Sequence, residues 1–149
     1  AYLQQAATPV GPETSSAFLA SLEPISSTIS AYILAASVGR AGIIYRRTDG
    51  SNFYEVYVDR ETLELKLDKL IGGVRTNLDT VDIKNDFGDG EIRVIVQGDR
   101  HRVWWKFREK IDIIDSSILS AGDVGLSAED VGVTDIIDFD DFYAQSLSD

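Results

Sequence analysis

Few residue types in this chain can do chemistry: scattered carboxylates, one histidine, two adjacent tryptophans and a group of tyrosines. Glu55 and Asp59 share one face of the alternating run Phe53 to Asp59, with Tyr57 between them on that face. Paired carboxylates about 5–9.5 Å apart hydrolyse glycosidic bonds. Four strand residues at about 3.3 Å each separate these two by about 13 Å, too far for that reaction. His101 stands between Arg100 and Arg102, where a positive field lowers its basicity, and it reads as a solvated turn residue. The sequence holds no cysteine and no Gly-Xaa-Ser-Xaa-Gly elbow, so nucleophilic catalysis and a thiolate zinc site lack their parts. No catalytic residue and no enzyme is predicted.

Binding chemistry is better represented. Trp104 alternates with Val103, Trp105 and Phe107. If those three are core, Trp104 lies on the outer surface of its sheet or in its groove, with Ile95 of the neighbouring strand beside it. An exposed Trp and Ile make a contact surface, for glycan or protein; a loop covering Trp104 is the other reading, and Tyr57 is a further candidate for ligand or partner binding. Of the metals, only calcium has candidate ligands. The run Asp82-Ile83-Lys84-Asn85-Asp86-Phe87-Gly88-Asp89 departs from an EF-hand loop at Lys84 and Phe87 and reads as a solvated acidic turn. No other cofactor is expected.

With 149 residues and a hydrophobic fraction of 44%, the chain suits one domain with a sizeable core. A net charge of −11 repels a phosphate backbone, so no nucleic-acid partner is expected. The basic residues Arg100, Arg102, Lys106, Arg108 and Lys110 read as a solvated face balancing nearby acids. No stretch has the roughly 20 apolar residues of a membrane span. The first residues lack the regions of a signal peptide, and the N-terminal Ala fits either a clipped initiator Met or a trimmed domain.

Stepping along the chain, residues Ala1 to Ser16, with Pro9, Gly11 and Pro12, are expected as an extended arm whose Tyr2 and Leu3 make partner contacts. One domain is expected over residues 17–149. Strands are predicted at Ala17 to Glu23, Ile29 to Ala36, Ala41 to Arg47, Phe53 to Asp59, Leu63 to Asp68, Val74 to Val81, Glu91 to Gln97, Arg102 to Arg108, Ile111 to Ile114 and Ile136 to Gln145. The only helical candidate is a turn near Ser116 to Ser120. Leu63, Leu65, Leu67, Val94, Val103, Trp105 and Phe107 are expected in the core.

The order of these motifs resembles the concanavalin A-like, laminin-G-like jelly-roll domains. The residues that carry it are Gly42 to Asp49 leading into Asn52 to Val56, Leu63 to Asp68 with its glycine turn, the pair Glu91 to Gln97 and Arg102 to Phe107, and the ending Ser120 to Leu126 followed by Phe139-Asp140-Asp141-Phe142. The resemblance implies an all-β, antiparallel two-sheet sandwich. It departs from the family where Arg108-Glu109-Lys110 replaces a tight Asp-Gly turn. The Glu-Xaa-Asp-Xaa-Xaa-Glu strand of the laminarinase-type members is absent. Calcium-binding members often use an acid near the end of the last strand, so the resemblance implies Asp140 and Asp141 as candidate ligands of a structural calcium.

Members of that superfamily include lectins, glycosidase domains and phage virion proteins, and fold does not choose among them. The first expectation is a non-enzymatic structural module, an oligomeric surface or virion decoration protein. Its partners would be further copies, as a dimer or trimer, and an assembly such as a capsid, on a virion surface or outside the cell. The alternative is an extracellular carbohydrate-binding, lectin-like module, and the third reading is a glycoside hydrolase.

Overall fold

Strands with one apolar face must bury it against a second sheet. The computed structural model of the chain describes residues 13–18, 26–35, 39–130 and 137–146, with side chains for 26–33, 39–128 and 143–145. Its strands are β1 (Glu13–Phe18), β2 (Ser26–Ala35), β3 (Arg40–Asp49), β4 (Asn52–Asp59), β5 (Glu64–Ile71), β6 (Val74–Asp82), β7 (Gly90–Gln97), β8 (Arg100–Trp105), β9 (Arg108–Ile114), β10 (Asp123–Asp130) and β11 (Ile137–Ser146). They form a six-stranded sheet, β1-β10-β3-β4-β5-β6, and a five-stranded sheet, β11-β2-β7-β8-β9. All pairings are antiparallel. The architecture is the two-sheet jelly-roll sandwich expected from the strand order.

Several details differ from the sequence reading, among them β10, which is not among the predicted strands. Glu13–Ser16, expected in the arm, belong to β1, which pairs with β10 from Glu13 opposite Asp130 to Phe18 opposite Gly125. Glu13-Thr14-Ser15-Ser16 has no apolar alternation, so periodicity gives no strand there. Residues 1–12, with Tyr2 and Leu3, and residues 19–25 lie outside the described residues. Leu63, expected in the core, is only half-buried, because it precedes β5 in a turn at φ 59°, its N–H bonded to the Asp59 carbonyl at 2.8 Å. No helical turn forms at Ser116 to Ser120.

A further difference is Phe107, expected in the core but 77% exposed. Trp105 pairs with Arg108, so Lys106 and Phe107 are the two central residues of a hairpin turn, at φ 49° and 68°. Such a turn is of the I′ type. Two turn residues preserve the period of two, so the alternation of β8 runs through the turn undetected.

The core fills the space between the sheets. Leu65, Leu67, Val94, Val103 and Trp105 are fully buried there, with Ile29, Ile33, Ile43, Tyr45, Tyr54 and Ile92. His101 joins them, completely buried rather than solvated. The alternation of β8 puts it on the same face as Val103 and Trp105, while Arg100 and Arg102 point outward to Asp112 and Glu109. Lys110 meets Asp86 at 3.0 Å, so these bases are paired with acids.

A polar latch closes this end of the core. The His101 ring lies 4.5 Å from the Tyr54 ring, which stacks on Tyr45 at 5.3 Å. Nε2 of His101 faces the Asp115 carbonyl at 3.0 Å, which only accepts, so Nε2 carries the proton. Nδ1 then accepts from the Tyr45 hydroxyl at 2.8 Å. The Asp115 carboxylate takes the Tyr54 hydroxyl at 2.7 Å, the Ser117 N–H at 2.9 Å and Lys69 at 3.0 Å. Burial alone would raise the pKa of Asp115, but these hydrogen bonds outweigh it and hold the carboxyl well below the usual range. Burial and hydrogen bonding to Asp115 push the Tyr54 hydroxyl up to about 12.

The latch makes the fold sensitive to mild acid. Burial lowers the pKa of His101, so the native state refuses a proton that the unfolded chain takes up below about pH 6.5. The native value is the lower one, so stability is complete above the unfolded value and falls as pH drops toward the native one. Urea midpoints should decrease between about pH 7.5 and about pH 5.5, and His101→Gln should flatten that decrease. A wild-type midpoint that does not move over this range would refute the assignment.

Candidate functional site

The outer face of the six-stranded sheet carries buried charge where solvated residues are the rule. In β4 the inward residues are Tyr54, Val56 and Val58, and Glu55 and Tyr57 face the other way. Yet Glu55 is only 3% exposed, and Asp68 of β5, directly opposite it, only 2%. Like charges directly across a strand pair destabilise a sheet. Arg75 of β6 reverses the sign of that interaction. Its Nη2 donates to Glu55 Oε1 at 2.8 Å and its Nη1 to Asp68 Oδ2 at 2.8 Å.

The remaining carboxylate oxygens are also engaged. Glu55 Oε2 accepts from the Ser127 hydroxyl of β10 at 2.6 Å. Asp68 Oδ1 accepts from Asn77 Nδ2 at 2.8 Å, and Oδ2 also accepts from the Tyr57 hydroxyl at 2.7 Å. Tyr57 lies against Gly42, its partner across β3 and β4. A Cβ on Gly42 would stand 2.7 Å from the Cβ of Tyr57 and 1.9 Å from the Val56 carbonyl oxygen, so only glycine fits. The Arg40 guanidinium covers the Tyr57 ring at 5.0 Å.

Electrostatics tighten this network. Burial, then the hydrogen bond to Asp68, pushes the Tyr57 hydroxyl well above its usual pKa. Burial lowers that of Arg75, but the Glu55 and Asp68 carboxylates outweigh it and raise the guanidinium above its ordinary value. The result is a rigid buried layer with an outer rim. Arg75 keeps a side-chain exposure of 33%, and Asn77 is exposed. Two of the five guanidinium N–H groups hold carboxylates, and three point to no partner among the described residues. Donors held in place by the buried carboxylates suit the hydroxyl groups of a polar ligand.

The predicted site residues separate into different places. Tyr57 belongs to this network. Glu55 belongs too, while Asp59 caps the following turn, accepting from the N–H groups of Glu61 and Thr62. Trp104 and Ile95 lie on the outer face of the five-stranded sheet, where Glu91, Arg93 and Phe107 join them around a cavity of about 290 Å³. Both are half-buried. Asp140 and Asp141 fall in β11 at an irregularity of pairing between Asp140 and Tyr143, and their side chains lie outside the described ones. Asp86, in the acidic run, is held by Lys110, and its carbonyl accepts from Trp105 Nε1 at 3.1 Å. Among the described residues no group of three or more His, Cys, Asp or Glu side chains comes together as a metal site.

Sequence reasoning missed Asp68, Arg75, Asn77 and Ser127. The available signal was register: counting back from the Gly72-Gly73 turn sets Arg75 opposite Leu70, two residues from Asp68, and counting across β4 and β5 sets Asp68 opposite Glu55.

No family model and no curated protein matches the sequence. Solved structures do. The carbohydrate-binding module CBM66 from Bacillus subtilis is similar over 97% of this chain and 95% of its own, with a TM-score of 0.78 and 19% identity. The Ca2+-bound exoplasmic/lumenal domain of VIP36 is similar over 99% of this chain and 84% of its own, with a TM-score of 0.72 and 15% identity. The GH43 protein BlXynB from Bacillus licheniformis matches 83% of this chain but 28% of its own length, with a TM-score of 0.68 and 17% identity. At these identities the likeness is one of fold, and the chain has the concanavalin A-like jelly-roll fold.

Proposed function

We propose that this protein is a non-enzymatic carbohydrate-binding module that holds neutral glycan hydroxyl groups on the outer face of the six-stranded sheet. The observation that carries the reading is the Glu55–Arg75–Asp68 bridge. Buried charges are expensive to maintain and often contribute little to stability, so their concentration on one sheet face favours a binding role. The likeness to a carbohydrate-binding module over nearly the whole chain supports the same reading and lends none to a virion role. Neutral sugars are favoured because a net charge of −11 repels polyanions. An extracellular or lumenal setting goes with this function.

Calcium is not required in this reading, because Arg75 already stands as the cation between the two acids. Glycan binding should therefore survive chelation by EDTA, whatever Asp140 and Asp141 do. The test is affinity electrophoresis and calorimetry against neutral polysaccharides, with Arg75→Gln and Asn77→Ala compared with wild type. A folded Asn77→Ala should bind at least about tenfold more weakly, the worth of one lost hydrogen bond to a charged or polar partner. Binding that is unchanged in both variants would remove the six-stranded face from consideration.

A further inference from the structure

The cavity beside Trp104 lies on the other sheet, on the opposite side of the sandwich from Arg75, and the proposed function does not use it. We infer that it is a second site, which seats one neutral sugar ring against Trp104 and Phe107. Two independent observations lead there.

The first is the turn that presents Phe107. The chain makes the same two-residue turn twice. Between β5 and β6 it uses Gly72 and Gly73, at φ 58° and 79°, where glycine adopts a left-handed backbone without cost. Between β8 and β9 it uses Lys106 and Phe107, at φ 49° and 68°. A bulky residue in that region is strained, as Arg46 and Leu63 also are, and such strain persists only where the surroundings hold it. Packing explains Lys106, whose stem lies across Gly90 and whose amine sits 5.4 Å from the Trp105 ring. It does not explain Phe107, which stays 77% exposed at the cavity mouth.

The second observation is the make-up of the cavity. Its volume of about 290 Å³ is near the lower limit of small-molecule pockets, the scale of one ring rather than of a protein partner. Trp104, Phe107 and Ile95 supply apolar walls, and the Arg102 guanidinium over Trp104 at 4.8 Å fixes the plane of the indole. Glu91 and Arg93, paired at 3.1 Å, supply an acceptor and a donor. A purely apolar ligand would strip water from that ion pair without replacing it. An anion would meet Glu91, and a cation would meet Arg93. A sugar ring satisfies all five residues, with its C–H face on the aromatics and its hydroxyls on the charged pair.

Tryptophan fluorescence gives a direct test, because Trp105 is fully buried and Trp104 is not. Glucose, mannose, galactose, xylose and fructose serve as probes at millimolar concentration. At least one should shield Trp104 from acrylamide quenching, equally in wild type and in Asn77→Ala. Calorimetry should show that Trp104→Ala loses this binding at least tenfold. Phe107→Gly should weaken it at least fivefold while raising the melting temperature by about 4 °C, because the turn relaxes. The inference is overturned if no probe shields Trp104, or if Asn77→Ala abolishes the shielding. It is overturned also if shielding depends on protein concentration alone, which would mark a self-association face. Polysaccharide binding left unchanged by Asn77→Ala, with Trp104 still responding, would instead count against the six-stranded face alone.

Discussion

Replacing Arg75 with Leu should destabilise the fold by about 3 kcal/mol and abolish glycan binding at the six-stranded sheet. Removing one partner of a buried ionic group costs about 3–5 kcal/mol, because the remaining charges stay buried and uncompensated. Here two carboxylates, Glu55 and Asp68, are left directly opposite one another at 3% and 2% exposure. The lower end of the range applies, since Arg75 is one-third exposed and water can enter where it was. A combined variant, Glu55→Gln, Asp68→Asn and Arg75→Leu, should recover most of the stability and none of the binding. That separation is the signature of a site maintained for recognition. Chemical denaturation and calorimetry check both halves, and a single-variant loss below about 1 kcal/mol would mean that the acids rehydrate freely.

Trp105→Ala should cost about 3–5 kcal/mol, as truncation of a buried aromatic does. Trp105 is among the largest side chains with no exposed surface. Its Nε1–H bonds the Asp86 carbonyl, and so ties the short 3-10 turn Lys84–Asp86 to the sandwich. Truncation therefore opens a cavity and also frees that turn. Trp105→Phe should restore much of the volume without the hydrogen bond and fall between the two. Trp104→Ala, at a half-buried position one residue away, should cost less than half as much. Thermal or urea unfolding of the three variants decides the order, and equal losses for the Trp104 and Trp105 truncations would contradict the assignment of faces.

How much of this was legible in the sequence depended on which force set each residue. The strands of the central meander were readable, because Val56, Val58, Leu65 and Leu67 alternate with polar residues and alternation is what a two-sided sheet imposes. The arrangement of Ile95 beside Trp104 followed from the same parity. Phe107 escaped because a two-residue turn keeps the parity. His101 was placed wrongly because its charged neighbours outweighed its own alternation with Val103 and Trp105. The Arg75 bridge was the hardest feature to see. It depends on three strands, and its contacts are diagonal: Arg75 pairs with Leu70 yet reaches Asp68 two residues along and Glu55 one strand further on.

The Arg75 bridge also bears on how the chain folds. β3, β4, β5 and β6 are neighbours in both sequence and space. Within them Arg75 reaches Asp68 across 7 positions and Glu55 across 20, whereas Ser127 comes from 72 positions away. Short closures cost less chain entropy and form faster than long ones. The two acids are therefore expected to meet their cation in a local meander that is still hydrated, before β10 arrives from the far end of the chain. Desolvation would then act on a charge cluster that already holds its cation, rather than draw a bare carboxylate out of water.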